Sequence, residues 1–201
     1  MAGITDIEQF KTALVSGGVR PTLFYITMGF PGAPPGEGVT QGNGDVGGPT
    51  INTLLSYTAK AASIPEEIIS PIDVGYFGRK IKLSGDRTYR DWNISVIHTI
   101  ENDGKGPDVR QRFEGWFIDL NKQVANIRTQ NFLIPNNYKV DLMVNQMDQG
   151  GKVSSGYHLV GAFPIRIGDI RLSWDNQNTI EEYDVTFSYD YFYRESLRAF
   201  K

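Results

Sequence analysis

The sequence predicts a mainly β protein: two sheets packed as a β-sandwich or partly closed barrel, with one packed α-helix and a short N-terminal helix. Three observations point there. Several segments alternate apolar and polar residues with period two, as half-buried strands do. One segment, 107–123, instead carries apolar residues at spacings of three and four. Aromatic residues make up 12% of the chain and hydrophobic residues 40%, a balance with a strong β flavour. One sheet alone would leave too many apolar faces in water, so two must pack together. The 201 residues suffice for a single domain spanning 1–201.

The elements follow in order. Residues 5–15 read as the short amphipathic helix, with Ile7, Phe10 and Leu14 at helical spacing and Thr5 with Glu8 as a capping box. Gly17-Gly18 ends it. Residues 21–28 read as a strand with Phe24, Ile26 and Met28 on one face. Residues 31–50 are so rich in Gly and Pro that no core can be built from them, and they are expected to form an extended arm or loop. Order resumes at 53–61, and 63–72 reads as a connector punctuated by Pro65 and Pro71. Residues 74–83 and 91–100 read as an antiparallel pair, joined through Gly85-Asp86 as the turn. In the second of these, Trp92, Ile94, Val96 and Ile100 share a face opposite Asn93, Ser95 and Thr99.

The helix 107–123 places Val109, Phe113, Trp116, Phe117 and Leu120 in one stripe, with Pro107 suited to its first position. Residues 138–144 alternate again, 152–163 read as a strand and 164–170 as a connection. The last two strands are placed at 171–174 and 180–193, around a turn at 175–178. In the last, Tyr183, Val185, Phe187, Tyr189 and Tyr191 oppose Asp184, Thr186, Ser188 and Asp190.

Composition narrows the chemistry. A net charge of −3 gives no basic footprint for tight nucleic-acid binding. The absence of cysteine excludes disulfides, thiol nucleophiles and cysteine metal sites, and fits a reducing cytosol. The N-terminus lacks the basic-then-apolar pattern of a signal peptide, and no apolar run reaches the length of a membrane helix, about 18 residues. Gly42 to Gly47 spell G-x-G-x-x-G, but within a Gly/Pro run rather than between a strand and a helix, so no dinucleotide site is expected.

Two histidines are present; His98, on the apolar face near a strand end, reads as packed or hydrogen-bonded rather than as a ligand or base. Neither His98 nor His158 sits in a metal-ligand pattern. Asp175, Glu181, Glu182 and Asp184 cluster around a turn, where carboxylates are ordinarily solvated rather than opposed across a cleft. Asn93-Ile94-Ser95 matches a glycosylation sequon but lies in a predicted strand of a chain without secretion signals. No enzyme, cofactor or metal is indicated.

One stretch carries more information than any of these. Residues 78–92, GRKIKLSGDRTYRDW, have Arg79-Lys80 in a strand, then Gly85-Asp86-Arg87-Thr88, Tyr89, and Asp91-Trp92 opening the next strand. A second block spans 170–193 and includes Leu172, Trp174, Asp175 and Asn178; residues 14–25, with Arg20-Pro21, form a third. In order and spacing these blocks resemble the tail tube proteins of contractile-tailed bacteriophages, more closely than the related secretion-system tubes. Residues 31–50 depart as an insertion, and 130–155 match poorly.

The resemblance implies a structural virion protein that self-assembles into hexameric rings. The rings would stack as the inner tube of a contractile tail, assembled in the host bacterial cytoplasm and serving as the conduit for genome delivery. The implied partners are further copies of the chain, the tail sheath protein, the tape-measure protein, the baseplate tube initiator, the tail terminator, and genomic DNA passing without specific binding. On this reading Asn93, Ser95, Thr99, Asp184, Thr186, Ser188 and Asp190 are expected to face the lumen. Arg79, Lys80, Lys82, Asp86, Arg87 and Asp91 are expected at subunit contacts, where charges of both signs set orientation. Two alternatives stay open: a baseplate tube initiator of the same fold, and a monomeric β-sandwich module binding carbohydrate on the tyrosine-rich strand.

Overall fold

The computed structural model describes residues 7, 11, 12, 19–31, 51–99 and 108–195. Ile7, Lys11 and Thr12 are helical; the rest of the expected N-terminal helix, and all but Pro31 of the arm at 31–50, lie outside the described residues. So does the G-x-G-x-x-G sequence.

The described chain runs β1 (Phe24–Met28), α1 (Ile51–Thr58), β2 (Ala59–Ala62), β3 (Glu67–Tyr76), β4 (Arg79–Tyr89), β5 (Trp92–Ile97), α2 (Val109–Leu120), a 3-10 turn (Gln130–Leu133), α3 (Pro135–Tyr138), β6 (Val140–Met147), β7 (Val153–Ile167), β8 (Glu182–Ser188) and β9 (Tyr191–Arg194). Six strands of a seven-stranded sheet follow the path β1-β6-β7-β8-β5-β2, and the seventh, β9, pairs with β7. The 15-residue β7 turns the corner between two antiparallel layers. Its first part pairs with β6 and β9, and its last residues pair with β8. Gly161, at φ +67, sits where the handover occurs, and a Cβ there would collide with the Asp190 carboxylate. The result is mainly β and sandwich-like, with no closed barrel among the described residues.

The core lies between the layers and under α2. Asp108 caps α2 by accepting a 2.6 Å bond from the Gln111 amide. Val109, Phe113 and Trp116 are buried from its inner stripe, as the spacing predicts. Phe113 meets Phe187 of β8 at 5.8 Å between ring centroids and Phe30 at 5.1 Å. Ile26, Leu142, Val144 and Leu159 close the core from the other layer.

Six assignments differ from the sequence expectation. The predicted strand 74–83 is folded in two: Phe77-Gly78 form the turn, with φ 44 and 78, and β3 pairs with β4. Gly85-Asp86 is therefore no turn. It lies inside β4 as a bulge, where two residues oppose Ser70. A side chain at Gly85 would strike the Ser70 carbonyl, so glycine serves close approach rather than reversal. The expected connector 63–72 is largely β3, and Pro71 is tolerated because it adjoins that bulge. Pro164 likewise falls within β7 beside a register shift, so 164–167 continues the strand. Residues 171–174 form no strand, and the single final strand is two, β8 and β9, broken at Tyr189-Asp190. Tyr191 therefore leaves the buried row and is 42% exposed.

Candidate assembly surfaces

β5 and β8 lie side by side with Asn93 opposite Thr186 and Ser95 opposite Asp184. Their inward residues Trp92, Ile94, Val96, Tyr183, Val185 and Phe187 are all buried. Alternation therefore delivers Asn93, Ser95, Asp184 and Thr186 together to the outer face of one sheet. They are cross-linked there: Thr186 Oγ1 donates to Asn93 Oδ1 at 2.6 Å and Ser95 Oγ to Asp184 Oδ1 at 2.5 Å. Arg166 pairs with Thr186 from β7, and Lys60 bridges to Glu182 at 2.6 Å, so the face is charge-mixed rather than acidic.

The other three residues grouped with them by alternation are placed differently. Ser188 ends β8 opposite Phe163. Thr99 lies beyond the end of β5, in a cleft beside His98. Asp190 follows β8 and forms an ion pair with Lys139 at 2.7 Å, because the strand ends before it.

β3 and β4 form a two-stranded ribbon that pairs with no other strand among the described residues. Nine or so paired residues at about 3.3 Å each carry it roughly 30 Å from the sheet. It continues the β2–β5 pair across a junction at 63–66, pinned by Trp92 Nε1 donating to the Ser63 carbonyl at 2.7 Å. Tyr89 anchors its base against Tyr189 and Phe192, at 5.9 and 5.6 Å.

The predicted contact residues belong mostly to this ribbon. Arg79 pairs with Tyr76 at the tip, and Lys80 and Lys82 point to the polar face, Lys80 reaching Asp73 at 3.5 Å. Arg87 reaches Glu67 at 3.2 Å, Asp86 occupies the bulge, and Asp91 lies exposed between β4 and β5. The residues that sequence reasoning missed are on the opposite face. Ile72, Val74, Tyr76, Ile81 and Leu83 form an apolar row about half exposed, with Phe77 90% exposed at the tip. The period-two signal was present in 72–83, but a one-strand reading hid that both halves put their apolar residues on one uncovered face.

His98 is a clamp. Its Nδ1 lies 2.8 Å from Glu181 Oε2 and its Nε2 3.2 Å from the buried Asp108 Oδ2. The imidazole thus ties the end of β5 to the cap of α2 and to the loop before β8. The Tyr183 ring packs edge-on to it, with Arg110 over that ring at 5.0 Å. Burial, and then the Asp108 charge, push the Tyr183 phenol well above its ordinary value of 10.0. His158 stacks on Tyr193 at 4.9 Å. Among the described residues no cluster of His, Asp and Glu could hold a metal. The tyrosine-rich strand offers no carbohydrate platform, since Tyr183, Phe187 and Tyr189 are buried.

Residues 19–195 match the family model described as phage tail tube protein. The chain is 33% identical over 187 residues to the tail tube protein gp19 of Enterobacteria phage T4, covering 92% of this chain and 98% of that one. It is 24% identical over 188 residues to the tail tube protein of Serratia phage KSP90, covering 92% and 95%. The fold resembles a chain in the anti-feeding prophage baseplate (TM-score 0.58, 9% identity, 88% and 95% covered). It also resembles one in the sheath–tube complex of an extracellular contractile injection system (TM-score 0.54, 14% identity, 95% and 98% covered). With the family model spanning nearly all the described residues and a relative matched over almost its whole length, the chain belongs to the phage tail tube protein family.

Proposed function

We propose that the chain forms hexameric rings that stack into the inner tube of a contractile phage tail, with the β5–β8 face toward the lumen. The observation that carries this reading is that face: small, hydrogen-bonded polar side chains on one side of a sheet whose other side is core. Such a wall offers hydrated groups and no dense positive charge, so a polyanion slides past it. Among the described residues β2 ends the sheet with an unpaired edge, and joining sheets around a ring would satisfy it. The half-exposed apolar row of β3–β4 needs a cover that an isolated hairpin lacks, and a neighbouring subunit supplies one.

The tube itself would be assembled in the host bacterial cytoplasm. It would carry the sheath outside, the tape-measure protein inside during assembly, the baseplate initiator at one end and the terminator at the other. Genomic DNA would later pass through. The baseplate initiator remains the second reading, since a chain in a baseplate structure and a chain in a sheath–tube complex both resemble this fold. The near-full-length match to tail tube proteins favours the main tube. Negative-stain electron microscopy of the purified protein at rising concentration tests this. Stacked rings or hollow tubes of uniform width are expected; single rings that never stack would point to the initiator, and monomers throughout would overturn the self-assembly reading.

A further inference from the structure

We propose that the β3–β4 tip of one copy seats against the 168–181 loop of the next copy, making a heterologous, head-to-tail contact. The proposal rests on the reading that copies of this chain assemble, and it names the two surfaces that meet.

The two surfaces lie at opposite ends of the same sheet. The ribbon leaves the β5–β8 pair at Trp92, which faces Phe187. The loop enters β8 at the other end, where Ile97 faces Glu182. A subunit with its plug at one end and its socket at the other repeats head to tail instead of closing into a two-fold dimer, as a ring or an open stack of copies requires.

The loop is shaped and exposed as a socket. Residues 168–181 contain no regular element. They wall a cleft of roughly 680 Å³ with Ile170, Leu172 and Trp174 among its lining. Trp174 is 99% exposed and Leu172 80%, an expensive arrangement for a monomer in water. The tip offers matching chemistry, with Phe77 at its apex stacked edge-on to Tyr76 at 4.6 Å. Aromatic anchors of this kind dominate the energy of contacts between proteins.

Charge favours the same pairing. Arg79 and Lys82 of the tip, and Asp169 and Asp175 of the loop, form no ion pair among the described residues. The clamp formed by His98 with Glu181 and Asp108 holds the C-terminal end of the loop against the body, so the socket is partly preorganised.

The chain lacks cysteine, which makes the contact directly testable in the full-length protein. Phe77→Cys and Trp174→Cys are prepared singly, mixed at assembling concentration and oxidised mildly. A disulfide-linked dimer is expected from the mixture and not from either variant alone, since only the heterologous contact brings the two together. Arg79→Glu with Lys82→Glu should raise the concentration needed for stacking about tenfold or more, and Asp169→Lys with Asp175→Lys should restore it. Tubes without the mixed cross-link, or equally strong Phe77→Cys self-linkage, would overturn the contact while leaving the proposed function intact. Failure of the charge reversal to be rescued would overturn it too. Monomers with no cross-link would overturn both.

Discussion

Tyr183 shows how a single residue ties the core to pH. Its hydroxyl is buried with no hydrogen-bond partner among the described residues, and burial holds the phenol protonated above its ordinary range. The folded protein therefore keeps a proton that the unfolded chain releases near pH 10. The stability contributed is fully present below that value and is lost as pH rises past it toward the folded value. Chemical denaturation at pH 7 and at several points above pH 10 should show stability falling only in the alkaline limb. Tyr183→Phe should flatten that limb and leave stability at pH 7 equal or higher, because the orphaned hydroxyl costs about 1–3 kcal/mol when buried. A loss at pH 7 larger than that range would mean the hydroxyl has a partner. That the residue is buried was readable from alternation; that its hydroxyl is unpartnered was not, because its surroundings, Arg110 of α2 and His98 after β5, come from distant segments.

Among the elements, α2 and β7 differ in how much of them local sequence explains. The apolar stripe makes α2 legible, but its start is not: the spacing puts Pro107 at the first helical position, whereas the helix begins at Val109 behind the Asp108 cap. A Cβ at Gly115 meets nothing within 4 Å, so Gly115→Ala should raise stability by about 0.5–1 kcal/mol through helix propensity alone. β7 is different. Its bend depends on Gly161 at positive φ with Asp190 directly behind it, so Gly161→Ala should cost roughly 1–3 kcal/mol. Thermal or denaturant unfolding of the two variants should move in opposite directions; the same direction for both would sink the distinction. The hairpin was misread for a related reason. Gly85-Asp86 has the composition of a turn, yet β3 supplies a partner strand whose register absorbs the pair as a bulge. The real turn uses Phe77, an aromatic at positive φ, which local rules disfavour.

At the scale of the whole molecule, the question is which faces meet solvent, a lumen or another copy. Under the proposed arrangement, Asn93→Cys and Thr186→Cys in assembled tubes should resist a bulky thiol reagent while reacting fully in dissociated subunits. Equal reactivity in both states would place that face outside the lumen. The sequence by itself determined the β class, the inward faces of β1, β5, β6 and β8, the helix stripe and, through residues 78–92 and 170–193, the family. These are local or short-range properties, since alternation and turn chemistry are written within a few residues. Only the tertiary structure decided that β5 and β8 are neighbours, which joins Asn93, Ser95, Asp184 and Thr186 into one surface. It likewise decided that 67–89 is a ribbon uncovered by the other described residues and that 168–181 is an exposed loop at the opposite end. Such facts depend on which distant strands pair, and pairing is selected by the packing of the whole core rather than by any segment's own pattern.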